Sequence, residues 1–197
     1  TEGKITDAII DYASSNNGNI YTVKRKEITI IKNAIDRGLC VFGLHGQLGT
    51  GKTIIVKCIS KLLHTSGWNV FEISKESSEA LKELQTITAR YEKIVLVIEN
   101  YNRHTQLTRW LSDAKLQNVI LFLIARTDVH ELFSDGLSEL FKEKYLEVDC
   151  TKLLNSEIKS VSSLFDHFGI WGTRLSWPEA RKLDFIKNEC SSELPHI

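Results

Sequence analysis

Leu39-Cys40-Val41-Phe42-Gly43-Leu44-His45-Gly46-Gln47-Leu48-Gly49-Thr50-Gly51-Lys52-Thr53 is the stretch on which the fold turns. Its first six residues are an apolar run of strand length. Gly46 to Thr53 then matches the pattern GxxxxGK[ST] in full. Beyond it, apolar residues at 54, 55, 56, 58, 59, 62 and 63 form the broad buried face of a helix over 52–65. Strand, glycine-rich loop and apolar helix in that order are the setting that a phosphate-binding loop requires.

Each residue type in the loop has its own task. Glycines open backbone angles that other residues resist, so successive N–H groups can face phosphate oxygens. The helix beginning at Lys52 adds the positive end of its dipole. Lys52 is expected to reach the β- and γ-phosphates, and the Thr53 hydroxyl to ligate Mg²⁺. The nucleotide-binding set read here is Gly46, Gln47, Leu48, Gly49, Thr50, Gly51, Lys52, Thr53 and Ile54. The competing reading is a glycine-rich turn that carries Gly-Lys-Thr by accident, as roughly one chain in a hundred of this length would.

Working outward, the same alternation continues. Helical spacing at Ile28, Ile31, Ala34 and Ile35 ends at Gly38, which suits a C-terminal cap. Strands are expected at Asn69–Ile73, Lys93–Ile98, Asn118–Ala125 and Lys144–Val148. The helices between them are placed over 77–90, 104–115 and 128–133, with a further segment over 137–142. KIVLVI and NVILFLIA show no polar alternation, as in central strands covered on both faces. This is an α/β chain with a mostly parallel five-stranded sheet, whose ligands bind beyond the carboxyl ends of the strands. After Asp149 only helices are expected, over 156–168 and 177–190. The organisation read is an N-terminal helix (5–13) and linker over 1–19, a nucleotide-binding domain over 20–149, and a helical lid over 150–197.

Composition narrows the partners. The 197 residues include 25 Lys and Arg against 25 Asp and Glu, a formal net charge of zero that argues against a nucleic-acid groove or a polybasic membrane patch. With 42% hydrophobic and 25% charged residues the chain is ordinary globular material. Its apolar runs are far shorter than the ~18 residues that mark a membrane span, and TEGKITDAII is no signal peptide, so a cytoplasmic location is expected. Cys40, Cys58, Cys150 and Cys190 show no CxxC pair and read as small hydrophobes. The absence of any Met suggests a piece of a longer product.

A phosphate loop needs an acid at the end of a second strand to hold Mg²⁺. Glu99, directly after KIVLVI, is the candidate, one methylene longer than the usual Asp. The next position, where a second acid usually polarises the attacking water, is Asn100. Asn can position water but cannot take its proton, which predicts nucleotide binding with weak hydrolysis. In the alternative, Asn100 merely ends the strand and another residue is the base. Arg126, after the strand 118–125, is either a contact to the γ-phosphate or a solvated side chain paired with Asp128. Lys52, Glu99, Asn100 and Arg126 are the catalytic candidates, with Thr53 and Glu99 on the metal. Four tryptophans are assigned to packing, His45 and His104 lack a partner at catalytic spacing, and Tyr101 either orders the loop after the acid strand or, the preferred reading, lies at the surface.

With these residues in place the chain resembles the additional-strand P-loop NTPases, in particular the AAA+ relatives called STAND. The resemblance covers about residues 20–190. Val23-Lys24-Arg25-Lys26-Glu27-Ile28 resembles the R-x-x-E stretch beside the adenine, and Ile124-Ala125-Arg126 resembles the sensor strand. Leu153–Glu157 and His167–Gly172 look like the start of the helical lid. Ala180–Ile186 and Cys190 resemble the lid of novel STAND ATPases in large prokaryotic defence proteins. No lid arginine matches a second sensor well, Arg174 and Arg181 being the nearest.

The resemblance implies a three-layer P-loop NTPase fold followed by a partial helical lid. It also implies ATP/ADP and Mg²⁺ as ligands and a slowly hydrolysing switch inside a signalling or antiviral defence protein. Its partners would be neighbouring domains of a longer polypeptide and, in the ATP state, further copies of itself as a homo-oligomer. Two other readings stand beside it: an active remodelling or motor ATPase, and a nucleotide-binding scaffold that never cycles. Nothing in the chain looks like the guanine-reading N/TKxD tetrad, which favours ATP over GTP.

Overall fold

Strand-forming runs with no polar alternation can be satisfied only between two layers of helices, and the computed structural model puts them there. It describes residues 22–73, 77–113 and 118–194. In chain order the elements are α1 (Lys26–Asp36), β1 (Val41–His45), α2 (Lys52–Thr65), β2 (Asn69–Ile73), α3 (Ser78–Arg90), β3 (Ile94–Glu99), α4 (Thr105–Asp113), β4 (Val119–Ile124), α5 (Thr127–Phe141), β5 (Tyr145–Asp149), α6 (Asn155–His167) and α7 (Glu179–Asp184).

The sheet has the order β2-β3-β4-β1-β5 and every pairing is parallel. β4 is therefore the strand inserted between the loop strand β1 and the acid strand β3. β1 and β4 are buried along their whole length, and β3 up to Ile98. The pleat divides their side chains between two cores. Phe42, Leu44, Val95, Val97, Ile120 and Phe122 pack with Ile31 and Ala34 of α1 and Ile55, Val56 and Ile59 of α2. Val41, Ile94, Leu96, Ile98, Leu121 and Leu123 pack with Leu84 of α3, Leu107 and Leu111 of α4 and Leu137 of α5. Three layers result, with β1 central enough to carry its carboxyl end into the interior of the sheet. Trp68 and Trp110 pack against these cores, as the packing assignment expects.

The residues divide into two compact units, Glu27–Cys150 and a second that joins the residues up to Lys26 with those from Thr151 onward. In the second unit Leu153, Ile158, Val161, Trp171, Phe185, Ile186 and Cys190 form a core of their own. Glu157 organises its start: the carboxylate accepts from the backbone N–H of Leu154 (2.7 Å) and of Lys26, and pairs with buried Arg25. Arg25 and Glu157 both occur in stretches quoted for the family resemblance, and this unit joins them by an ion pair.

The structure differs from the sequence expectations in four places. The segments over 128–133 and 137–142 are one helix, α5, which runs through Gly136. The helix over 177–190 is only α7, followed by a π turn at Phe185–Glu189 and left-handed backbone at Ser191 and Ser192. The C-terminal segment is not purely helical, since Lys152 and Glu193 form an antiparallel bridge. Tyr101, for which the surface is the preferred sequence reading over a role in ordering the loop, is buried at 2% exposure. The expected N-terminal helix (5–13) and linker lie outside the described residues. Among the described residues no helix is long and apolar enough to cross a membrane.

Candidate functional site

The loop after β1 takes its shape from glycine where the chain must turn against the usual handedness. Gly49 and Gly51 have φ of 88° and 85°, angles that a side chain would strain. Gly51 also caps α2 and, having no side chain, gives that helix no side-chain cap. Uncapped N–H groups at a helix start are ready-made anion donors. Inside the turn, Thr50 is fully buried and its hydroxyl donates to the Gln47 carbonyl at 3.0 Å, which braces the loop.

Lys52 opens α2 and its ammonium donates to the carbonyls of Gly46 (2.7 Å) and Gln47 (2.8 Å). Burial lowers its pKa and the charge of Arg126 acts the same way, while Glu99 opposes them. Two cations facing one cavity lower each other's stability until an anion joins them. The Thr53 hydroxyl donates to Glu99 Oε1 at 2.7 Å. This hydrogen bond joins the loop to the end of β3 across β4. A hydroxyl and a carboxylate side by side are the hard oxygen donors that Mg²⁺ takes.

Asn100 follows at φ 51°, ψ 49°, a left-handed conformation that turns the chain sharply after β3. Arg126 stands just past β4 and is exposed, and among the described residues it forms no ion pair with Asp128 or any other acid. Leu48, Gly49, Gly51, Lys52, Thr53, Ile54, Glu99, Asn100 and Arg126 line one cavity of about 410 Å³, with Ile124 and Ala125 as its floor. Gly46, Gln47 and Thr50, also expected to bind nucleotide, are not among its lining residues and instead hold the loop together through the Lys52 and Thr50 hydrogen bonds. The cavity opens at the carboxyl ends of the strands, where parallel sheets bind ligands. A larger cavity, about 590 Å³, lies among Cys40, Val41, Val119 and Lys144 at the amino ends, away from this chemistry.

One group beside the loop escaped sequence reasoning. His45, the last residue of β1, stacks on His130 of α5 with ring centroids 4.5 Å apart, and its Nε2 lies 3.1 Å from Glu147 Oε1 on β5. His130 Nδ1 is 2.9 Å from the Tyr101 hydroxyl. His45 thus has partners after all, contrary to expectation. They are remote in sequence, and only the β1–β5 register and the return of α5 bring them together.

Comparison with known proteins agrees with this architecture. No curated protein matches the chain in sequence. Among solved structures, a closed-state cryo-EM reconstruction of Hsp104 with ATPyS and FITC casein matches with a TM-score of 0.55 at 12% identity, over 72% of this chain and 29% of that one. The extended conformation of the S. cerevisiae Hsp104:casein complex matches with 0.53 at 14% identity, over 84% and 36%. Identities this low speak for the fold alone, and the chain spans well under half the length of these proteins. The model of the novel STAND NTPase 5 family matches residues 18–131, more than half of the chain, including the loop, Glu99 and Arg126. The chain belongs to that family, and with it to the nucleotide-binding P-loop NTPase modules of the STAND kind.

Proposed function

We propose that the chain is an ATP-binding, slowly hydrolysing switch module of a larger signalling or defence protein, in which nucleotide state controls oligomerisation. The observation that carries this reading is Asn100. It borders the cavity directly after Glu99, and its amide can orient a water molecule but has no basic atom to take the proton. A site that binds well and hydrolyses slowly keeps its ATP state long enough to signal. Lys52 and the N–H groups at the start of α2 bind phosphate, and Arg126, paired with no acid among the described residues, distinguishes the triphosphate from the diphosphate. Thr53 and Glu99 would hold Mg²⁺, which when bound shields the phosphate charge. Nucleotide shifts such an equilibrium only through different affinities for its two states, which gives Arg126 its energetic weight. The partners in this reading are neighbouring domains of a longer polypeptide and further copies of the protein.

The test measures steady-state Mg-ATP turnover and, by light scattering, the assembly of the full-length protein with ATP, with ADP and without nucleotide. Turnover slower than about one per minute, low for enzymes at large, and a larger assembly with ATP are expected. The same assembly in all three conditions sinks the switch reading, and fast turnover replaces it with a working ATPase.

A further inference from the structure

Among the described residues, His45, His130 and Glu147 are a set of nearby metal-ligating side chains outside the nucleotide cavity. They come from three elements: His45 ends β1, His130 lies in the first turns of α5, and Glu147 is in the middle of β5. Their ligand atoms lie within 4.8 Å of one another. Both ring Nε2 atoms lie near the same oxygen, Glu147 Oε1, at 3.1 Å for His45 and 3.6 Å for His130. The His130 ring is 1% exposed and its Nε2 has no hydrogen-bond partner. Glu147 keeps about half of its side chain in solvent, which gives the group a way in from outside.

We propose that His45, His130 and Glu147 form a site for a divalent transition-metal ion of the zinc class. Ligands at about 2.0–2.2 Å from a tetrahedral ion stand about 3.3–3.6 Å from one another, and the two His–Glu separations bracket that range. Two imidazoles and one carboxylate are donors suited to Zn²⁺ or Co²⁺ rather than to Mg²⁺. Tyr101 supplies the outer layer: when its hydroxyl accepts from His130 Nδ1–H, the Nε2 lone pair faces the ion. The two rings stack within 6° of parallel, so taking up the ion requires them to rotate until both Nε2 lone pairs converge on it, which leaves a fourth position for water. Joined in this way, β1, α5 and β5 are clamped together one residue before the phosphate loop begins at Gly46.

Titration of the nucleotide-free protein with Zn²⁺ in excess Mg²⁺, followed by calorimetry and thermal melting, tests the site, and Co²⁺ serves as the spectroscopic probe. One ion per chain, a rise in melting temperature and the intense visible absorption of tetrahedral Co²⁺ are expected. Glu147→Gln, in a half-exposed side chain, and His45→Asn each weaken binding at least ten-fold. Lys52→Ala leaves it unchanged, which separates this site from the nucleotide site. His130→Asn is informative if it folds, and Glu147→Gln decides if it does not. Absence of stoichiometric binding overturns the proposal, as does binding that persists in Glu147→Gln and His45→Asn. In the first case the group is a histidine–carboxylate ion pair, and in the second the ion sits on other donors.

Discussion

Asn100 holds two properties in one residue: a left-handed backbone and an amide at the edge of the cavity. Asp tolerates that backbone nearly as well as Asn, so Asn100→Asp changes the chemistry with little strain. It places a carboxylate beside Glu99, where a general base contributes 10²–10⁴-fold in other enzymes. Steady-state ATP turnover should rise at least ten-fold in Asn100→Asp; unchanged turnover would mean that the attacking water is not held there. The pairing of Thr53 with Glu99 could be read from sequence because both positions follow from a loop motif and from the end of an apolar strand. His45 could not, because its partners are set by strand register and by the path of α5. Such relations leave no local pattern in a chain.

At the scale of elements, β1, β3 and β4 were legible because burial on both faces removes polar residues from a strand altogether. α5 was not, and Gly136 is the reason: a glycine within a helical pattern reads as a break, yet the apolar face carries on to Leu137 in the core. Gly136 is exposed and a Cβ built there meets nothing within 4 Å. Gly136→Ala should therefore stabilise the protein by about 0.5–1 kcal/mol through helix propensity and a less disordered unfolded chain. Urea unfolding reads this as a higher midpoint at constant slope, and a lower midpoint would show that the helix needs its glycine. β1 contains the opposite case. A Cβ at Gly43 would stand 2.3 Å from the Tyr145 hydroxyl on the neighbouring strand. Gly43→Ala should cost about 1–3 kcal/mol through overpacking, seen as a lowered midpoint in the same experiment. The break after α7 was equally hidden, since a π turn keeps helical spacing almost to its end.

For the whole molecule, the order β2-β3-β4-β1-β5 decides what the loop can meet. With β4 between β1 and β3, the end of the acid strand lies one strand away from the loop and Arg126 lies between them. On the proposed reading, one bound nucleotide would touch three strand ends that are far apart in sequence, all within the unit Glu27–Cys150. Binding to the folded state alone stabilises it by RT ln(1 + [L]/Kd), about 2.7 kcal/mol at a hundred-fold excess over Kd. For a chain of this size that is a rise of about 5–10 °C in melting temperature. Differential scanning calorimetry with Mg-ATP should show this shift in the wild-type protein, and Lys52→Ala should lose it because the loop then lacks its ammonium. If the two units melt separately, the shift belongs to the transition of Glu27–Cys150, which carries the loop. An equal shift in Lys52→Ala would remove the phosphate loop as the place where nucleotide binds. A shift confined to the other transition would place the binding energy in the unit built around Trp171 and Phe185 instead.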